Sequence, residues 1–212
     1  MRPWQHAKSS AGRCADWRAD LPIHEFLDST KLACPDLRHR MILHNVDLGP
    51  AVAAMVFPER SDARAIALRH VSEDLGWTPS LADWIAECDV AKWPRPLYRR
   101  KHLERDIAVR SIAHSQGLGH EDDVRAVLDV LLLPMSFAGP VGLCIFLNSF
   151  GPALVRRVMG EPRMADGRRG KVVFDPAHVA EAFIYWVFGT IPHLNDIVLN
   201  NHALTRRVRH HV

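Results

Sequence analysis

The chain has 212 residues, enough to bury a substantial core without disulfide staples. Apolar residues make up 48% and charged residues 24%, which excludes a disordered tail or a collagen-like fibre. The formal net charge of +3 is too small to imply nucleic-acid binding on charge alone. Histidine stands out, with 13 residues against only 2 tyrosines.

Leu21-Pro22-Ile23 opens a segment in which His24, Phe26, Leu27, Lys31 and Leu32 recur at helical spacing. Pro35 suits the first position of the next helix, which is expected to run through Met41, Ile42 and Val46 until Gly49-Pro50 kinks or ends it. A third helix is expected from Ser61 or Asp62 to Leu75, with Gly76 as its stop. Thr78-Pro79-Ser80 with Asp83 is a further start signal. Trp93-Pro94-Arg95-Pro96 is stiff and poorly helical, and the basic run Tyr98-Arg99-Arg100-Lys101 follows it. Charge shifts there too: residues 1–97 hold 12 Lys+Arg against 13 Asp+Glu, and residues 98–212 hold 15 against 11. A domain boundary is therefore placed near residue 97, with no internal repeat expected across it.

Beyond that point, His102 to His114 reads as a helix broken by Gly117 and Gly119, and three acids after His120 suit the first turn of the next. Val130 to Leu147 is an uncharged stretch long enough to span a bilayer. Pro134, Gly139, Pro140 and Gly142 punctuate it, so it reads as buried core or a helical hairpin, with membrane association through 130–147 as the alternative. Met164 to Lys171 reads as an exposed loop and Lys171 to Phe174 as a short strand. Asp175-Pro176 opens a helix that Gly189 ends. The expected fold class is all-α: a helical bundle over residues 1–97, then an apolar, slightly basic, mostly helical region over 98–212.

Cys14, Cys34, Cys88 and Cys144 lie far apart, which excludes a C-x-x-C redox motif or zinc knuckle. The polar stretch 1–20 has no signal-peptide core, so free thiols in the cytoplasm are expected. Phosphate-binding glycine loops and a nucleophile elbow are absent. The basic tail Arg206-Arg207-Val208-Arg209-His210-His211 reads as a solvated terminus.

Five histidines fall in the first 70 residues, and three have a carboxylate three or four positions away. His24 and Asp28 share a helix face, Asp36 precedes His39 by three, and Glu73 and Asp74 follow His70. Imidazole and carboxylate are the usual ligands of Zn, Mn and Fe(II), and helical bundles gather such pairs from facing helices. His39 and His44 are five apart and diverge by about 140° on one helix. His44 is the better ligand, because Arg38-His39-Arg40 reads as a solvated run. The candidate metal ligands are His24, His44, His70, Asp28 and Asp74. His6 is a further ligand or phosphate contact, and Glu73 a general base. The competing reading is a set of buried structural His/Asp pairs in a non-catalytic accessory protein. In that reading the apolar C-terminal region docks a partner or membrane.

Trp4-Gln5-His6-Ala7-Lys8-Ser9-Ser10, Leu21-Pro22-Ile23-His24 with Asp28, Ser29 and Lys31, and Asp36-Leu37-Arg38-His39-Arg40 with His44 resemble an uncharacterised family. That family is a domain of unknown function found in bacterial and phage proteins. His70 to Gly76, then Pro79-Ser80 and Asp83-Trp84, is similar to its closing signature, so the resemblance covers about residues 4–90. It implies the same His and Asp positions and no activity. Asn45 stands where members often carry a second consecutive histidine, and Pro58 where glycine is usual. By analogy alone, HD-type phosphohydrolases suggest metal-dependent phosphoester hydrolysis of a small phosphorylated substrate, although the defining His-Asp dipeptide is missing.

Overall fold

The computed structural model describes residues 2–11, 16–32, 34, 37–96 and 105–198. The expected boundary near residue 97 lies outside these residues. So do Cys14, Pro35, Asp36, the basic run 98–101, His102 and the basic tail. The protein is predominantly helical and divides into two compact units: residues up to Lys92, joined by the last described residues Ile197 and Val198, and Trp93–Asp196.

In the first unit the helices are α1 (Pro3–Ala11), α2 (Leu21–Asp28), α3 (Arg40–Leu43), α4 (Leu48–Val56), α5 (Ala63–Leu75) and α6 (Leu81–Ala86). α5 packs against α1, α2 and α4 around Ile23, Leu27, Met41, Ile42, Leu43, Leu48 and Val71. α5 ends where Gly76 adopts φ +71°, a left-handed conformation that costs glycine little. α6 begins in a capping box: the Ser80 hydroxyl accepts from the Asp83 N–H, and the Asp83 carboxylate accepts from the Ser80 N–H.

Gly49-Pro50 does not end a helix; it lies in the first turn of α4. The N–H groups of a first turn have no intrahelical partner, so proline is harmless there. The chain instead breaks at His44 (φ −96°, ψ 60°), which closes α3. Asn45 fills the gap between the helices. Its side-chain N–H groups donate to the Met41 and Ile42 carbonyls, and its Oδ1 accepts from the Asp47 and Leu48 N–H groups.

The second unit contains α7 (Arg105–Ser115), α8 (Asp122–Ala138), α9 (Leu143–Phe146), α10 (Gly151–Met159), α11 (Pro176–Phe188) and the start of α12 (Leu194–Val198). Pro134 sits inside α8, and Gly139–Gly142 forms a 3₁₀ turn before α9. The stretch Asp122–Phe146 is long and apolar enough to cross a membrane, a property shared with core helices of soluble proteins. Met164 to Lys171 is not simply a loop. β1 (Arg163–Gly167) pairs antiparallel with β2 (Gly170–Phe174), giving the strand at 171–174 its partner.

Candidate metal centre

His24 and Asp28 lie one turn apart on α2, and His70 and Asp74 one turn apart on α5. Both pairs face inward because i and i+4 positions share a helix face. His44 comes from the break after α3, where its carbonyl accepts from the Trp84 indole N–H at 2.9 Å. Asp28, His44, His70 and Asp74 each offer one ligand atom, all within 4.8 Å of one another.

His44 Nε2 lies 3.0 Å from His70 Nε2, 3.5 Å from Asp28 Oδ1 and 3.4 Å from Asp74 Oδ2. His70 Nε2 lies 3.8 Å from Asp28 Oδ1. Ligand atoms about 2.1 Å from one divalent ion stand about 3.4 Å apart in a tetrahedron, the range seen here. Both imidazoles are fully buried, and the Asp28 and Asp74 side chains are 6% and 1% exposed. Asp28 Oδ2 is buried with no hydrogen-bond partner among the described residues. Donor type, spacing and this open acceptor fit a divalent transition ion.

The other expected residues surround this group. His24 Nδ1 lies 2.9 Å from His70 Nδ1, on the ring edge opposite the cluster, and His24 Nε2 lies 3.2 Å from Ser10 Oγ. His6 packs its ring 4.4 Å from that of His70, with Nδ1 2.9 Å from Glu73 Oε2 and Nε2 3.4 Å from Asp74 Oδ1. Glu73 faces His6 and accepts from the Ser9 hydroxyl at 2.7 Å.

Two residues run against expectation. Arg38-His39-Arg40 is not a solvated run. His39 is buried with its ring edge-on to His44, and Arg40 Nη2 lies 2.7 Å from Asp74 Oδ2. The 3₁₀ turn that ends at His39 and the start of α3 turn the two inward, which a charge run read linearly hides. Lys31 Nζ likewise lies 2.5 Å from Asp28 Oδ1. Its i+3 spacing from Asp28 was the available signal; Arg40 had none. Among the C-terminal histidines, His114, His120, His178 and His193 are exposed.

Burial holds the centre's imidazoles neutral. It lowers the pKa of His24 to about 4, aided by the nearby His6, and that of His70 to about 2, aided by His44 and His6. His44 is lowered by burial as well. Burial acts against charge on His6 too, but hydrogen bonds to Asp74 and Glu73 outweigh it and raise its pKa. Asp28 and Asp74 resist the upward push of burial. His44 and Lys31 hold the first well below the carboxylate range, and His6 and Arg40 the second. The centre is therefore two carboxylates and unprotonated imidazoles, the state in which these groups bind metal.

Residues 1–94, which include α1 to α6, match the family described as a domain of unknown function (DUF6915). No curated protein and no solved structure matches the chain significantly.

Proposed function

We propose that the first unit binds one divalent transition ion, Zn, Mn or Fe(II), through Asp28, His44, His70 and Asp74. The observation that carries this reading is the convergence of four ligand-type atoms, from four separate positions, at the mutual distances of one coordination sphere. His24 then orients rather than ligates. With His70 Nε2 given to the ion, Nδ1 carries the proton and donates to His24 Nδ1, and His24 Nε2 donates to Ser10. His6, held by Glu73, orients Asp74 in the same way.

An ion in this centre would supply a water of lowered pKa for hydrolysis of a small phosphorylated substrate in the cytoplasm. That chemistry needs a coordination position left open, and Glu73 reached through His6. A second reading is favoured by a different observation. Lys31 and Arg40 already balance the two carboxylates, and all four ligand side chains are enclosed. In that reading the unit is a non-catalytic accessory module with a closed centre, and the apolar stretch 130–147 docks a partner or membrane.

Metal analysis of purified protein, followed by calorimetric titration of the chelated protein with Zn(II) and Mn(II), separates these readings. One equivalent bound by wild type and lost in His44→Ala and His70→Ala is expected. No metal in any preparation and no heat on titration would overturn the proposal. Turnover of a phosphodiester reporter that follows metal content would favour hydrolysis over the accessory role.

A further inference from the structure

The two units follow one plan. Among the described residues α1–α5 and α7–α11 follow the same order, and the central pairs have equal lengths: α3 and α9 have four residues each, α4 and α10 nine, and α5 and α11 thirteen. α11 packs against α7, α8 and α10 as α5 packs against α1, α2 and α4.

The agreement extends to single bonds. Leu147 closes α9 at φ −85°, ψ 63°, the conformation of His44 after α3. Asn148 then repeats Asn45: its side-chain N–H groups donate to the Cys144 and Ile145 carbonyls, and its Oδ1 accepts from the Phe150 N–H. The next residue's N–H donates to a proline carbonyl in both units, Val46 to Pro79 and Ser149 to Pro192. A Gly-Pro pair follows in each, five residues after His44 and four after Leu147, so it lies one position earlier in the second unit. A Cβ on Gly49 would stand 2.3 Å from the Leu43 carbonyl oxygen, and one on Gly151 2.1 Å from that of Phe146. Gly189 ends α11 at φ 71°, as Gly76 ends α5. Four residues past each glycine an N–H donates to an aspartate, Ser80 to Asp83 and His193 to Asp196.

These landmarks set the register. His44 corresponds to Leu147; counting back from the helix-ending glycines, His70 corresponds to Phe183 and Asp74 to Val187. On the two remaining helices the alternation of buried and exposed positions sets it. The pattern over 20–32 recurs over 124–136 except at two positions, Ala126 and Leu132 being half-buried where Pro22 is exposed and Asp28 buried. That over 3–9 recurs over 105–111. His24 then corresponds to Leu128, Asp28 to Leu132 and His6 to Ala108. The first residues of α3 and α9 pair Arg40 with Leu143. No repeat was expected from sequence, because these replacements erase identity where the core is most distinctive.

We infer that the chain carries this domain twice, and that the second copy holds apolar residues at every position of the first copy's metal centre, all buried except the half-buried Leu132. The chain then binds one ion, not two. The exchange is concerted: both carboxylates, the imidazoles and the Arg40 counter-charge are replaced together. That is expected if they form one working set, because a partial set would strand a buried charge. The inference about the plan stands apart from the metal reading, since it rests on backbone and burial.

The test transplants the second core into the first unit of the full chain: His6→Ala, His24→Leu, Asp28→Leu, Arg40→Leu, His44→Leu, His70→Phe and Asp74→Val. In chelator, this variant is expected to unfold cooperatively with a Tm at or above that of wild type, and to bind no Zn(II). Loss of the cooperative transition would count against the correspondence. An experimental structure of the wild-type chain gives a second reading that does not depend on the variant folding. Superposing α1–α5 on α7–α11 must bring positions 28, 44, 70 and 74 onto 132, 147, 183 and 187, and any other register overturns the inference. Two Zn(II) per chain would overturn the dry second core. No Zn(II) at all would sink the metal reading while leaving the superposition to decide the repeat.

Discussion

The region around His70 and the region around Phe183 pose the same packing problem and answer it in opposite ways. Each is the middle of a thirteen-residue helix that ends in a left-handed glycine and lies against three neighbouring helices. Around Phe183 the solution is aliphatic and aromatic, with Val130, Leu131, Leu147, Ile184 and Val187 all buried. Around His70 it is a set of buried histidines and carboxylates that must be satisfied by one another. The apolar version shows that this backbone needs no polar centre to close. Burying ionisable groups is less favourable than burying hydrocarbon of the same size. Their presence in one unit is thus better explained by a ligand than by the fold.

The largest expected break in the comparison comes from removing a ligand. His44→Ala or Asp28→Ala should lower Zn(II) affinity by more than about 100-fold in calorimetric titration, since losses of about that size already follow from changing groups that merely support ligands. Leu147→Ala, at the corresponding position, should leave affinity unchanged and lower stability by about 2–5 kcal/mol in urea unfolding.

Next is Asp74→Ala in chelator, which strands Arg40 in a largely buried position. A loss of about 3–5 kcal/mol is expected from unpairing a buried ion pair. Asp74→Ala together with Arg40→Leu should recover most of it.

Acid should separate the units. Between pH 6.5 and 4 the unfolded chain protonates its histidines while buried His24 stays neutral down to about 4. The unfolded state binds more protons there, so stability of the metal-free first unit falls as pH falls, by about 3 kcal/mol from His24 alone. His6 acts oppositely, its contribution being present below pH 6.5 and lost as pH rises through its raised pKa. The described core of the second unit buries no histidine. Hydrogen exchange on chelated protein should therefore show α5 amides losing protection at higher pH than α11 amides; equal loss would count against the contrast.

The smallest effect probes the support of His70. Ser10→Ala removes the partner of His24 and should weaken Zn(II) binding by about tenfold. Its counterpart Ile112 has no such duty, so Ile112→Val should leave binding untouched and cost about 0.5–1.5 kcal/mol.

Local chemistry was readable from the residues: Gly76 and Gly189 as helix stops, Ser80 with Asp83 as a cap, and two His/Asp pairs one turn apart. Each depends on neighbours within four positions, so one segment carries the whole signal. What linear reading lost was long-range. Arg40 looked solvated because its partner Asp74 lies on another helix, and Gly49-Pro50 looked like a stop because only the packed backbone shows the break to lie at His44.

By itself, then, the sequence determined a predominantly helical chain, its first-unit resemblance and the residue types able to hold an ion. Only the tertiary structure decided that Asp28, His44, His70 and Asp74 meet, that His24 and His6 stand behind them, and that one plan occurs twice. The physical reason is that helix formation and capping are local events, whereas a coordination sphere and a core register exist only once distant segments pack. Burial position is largely kept through that packing even where every side chain at the centre has changed.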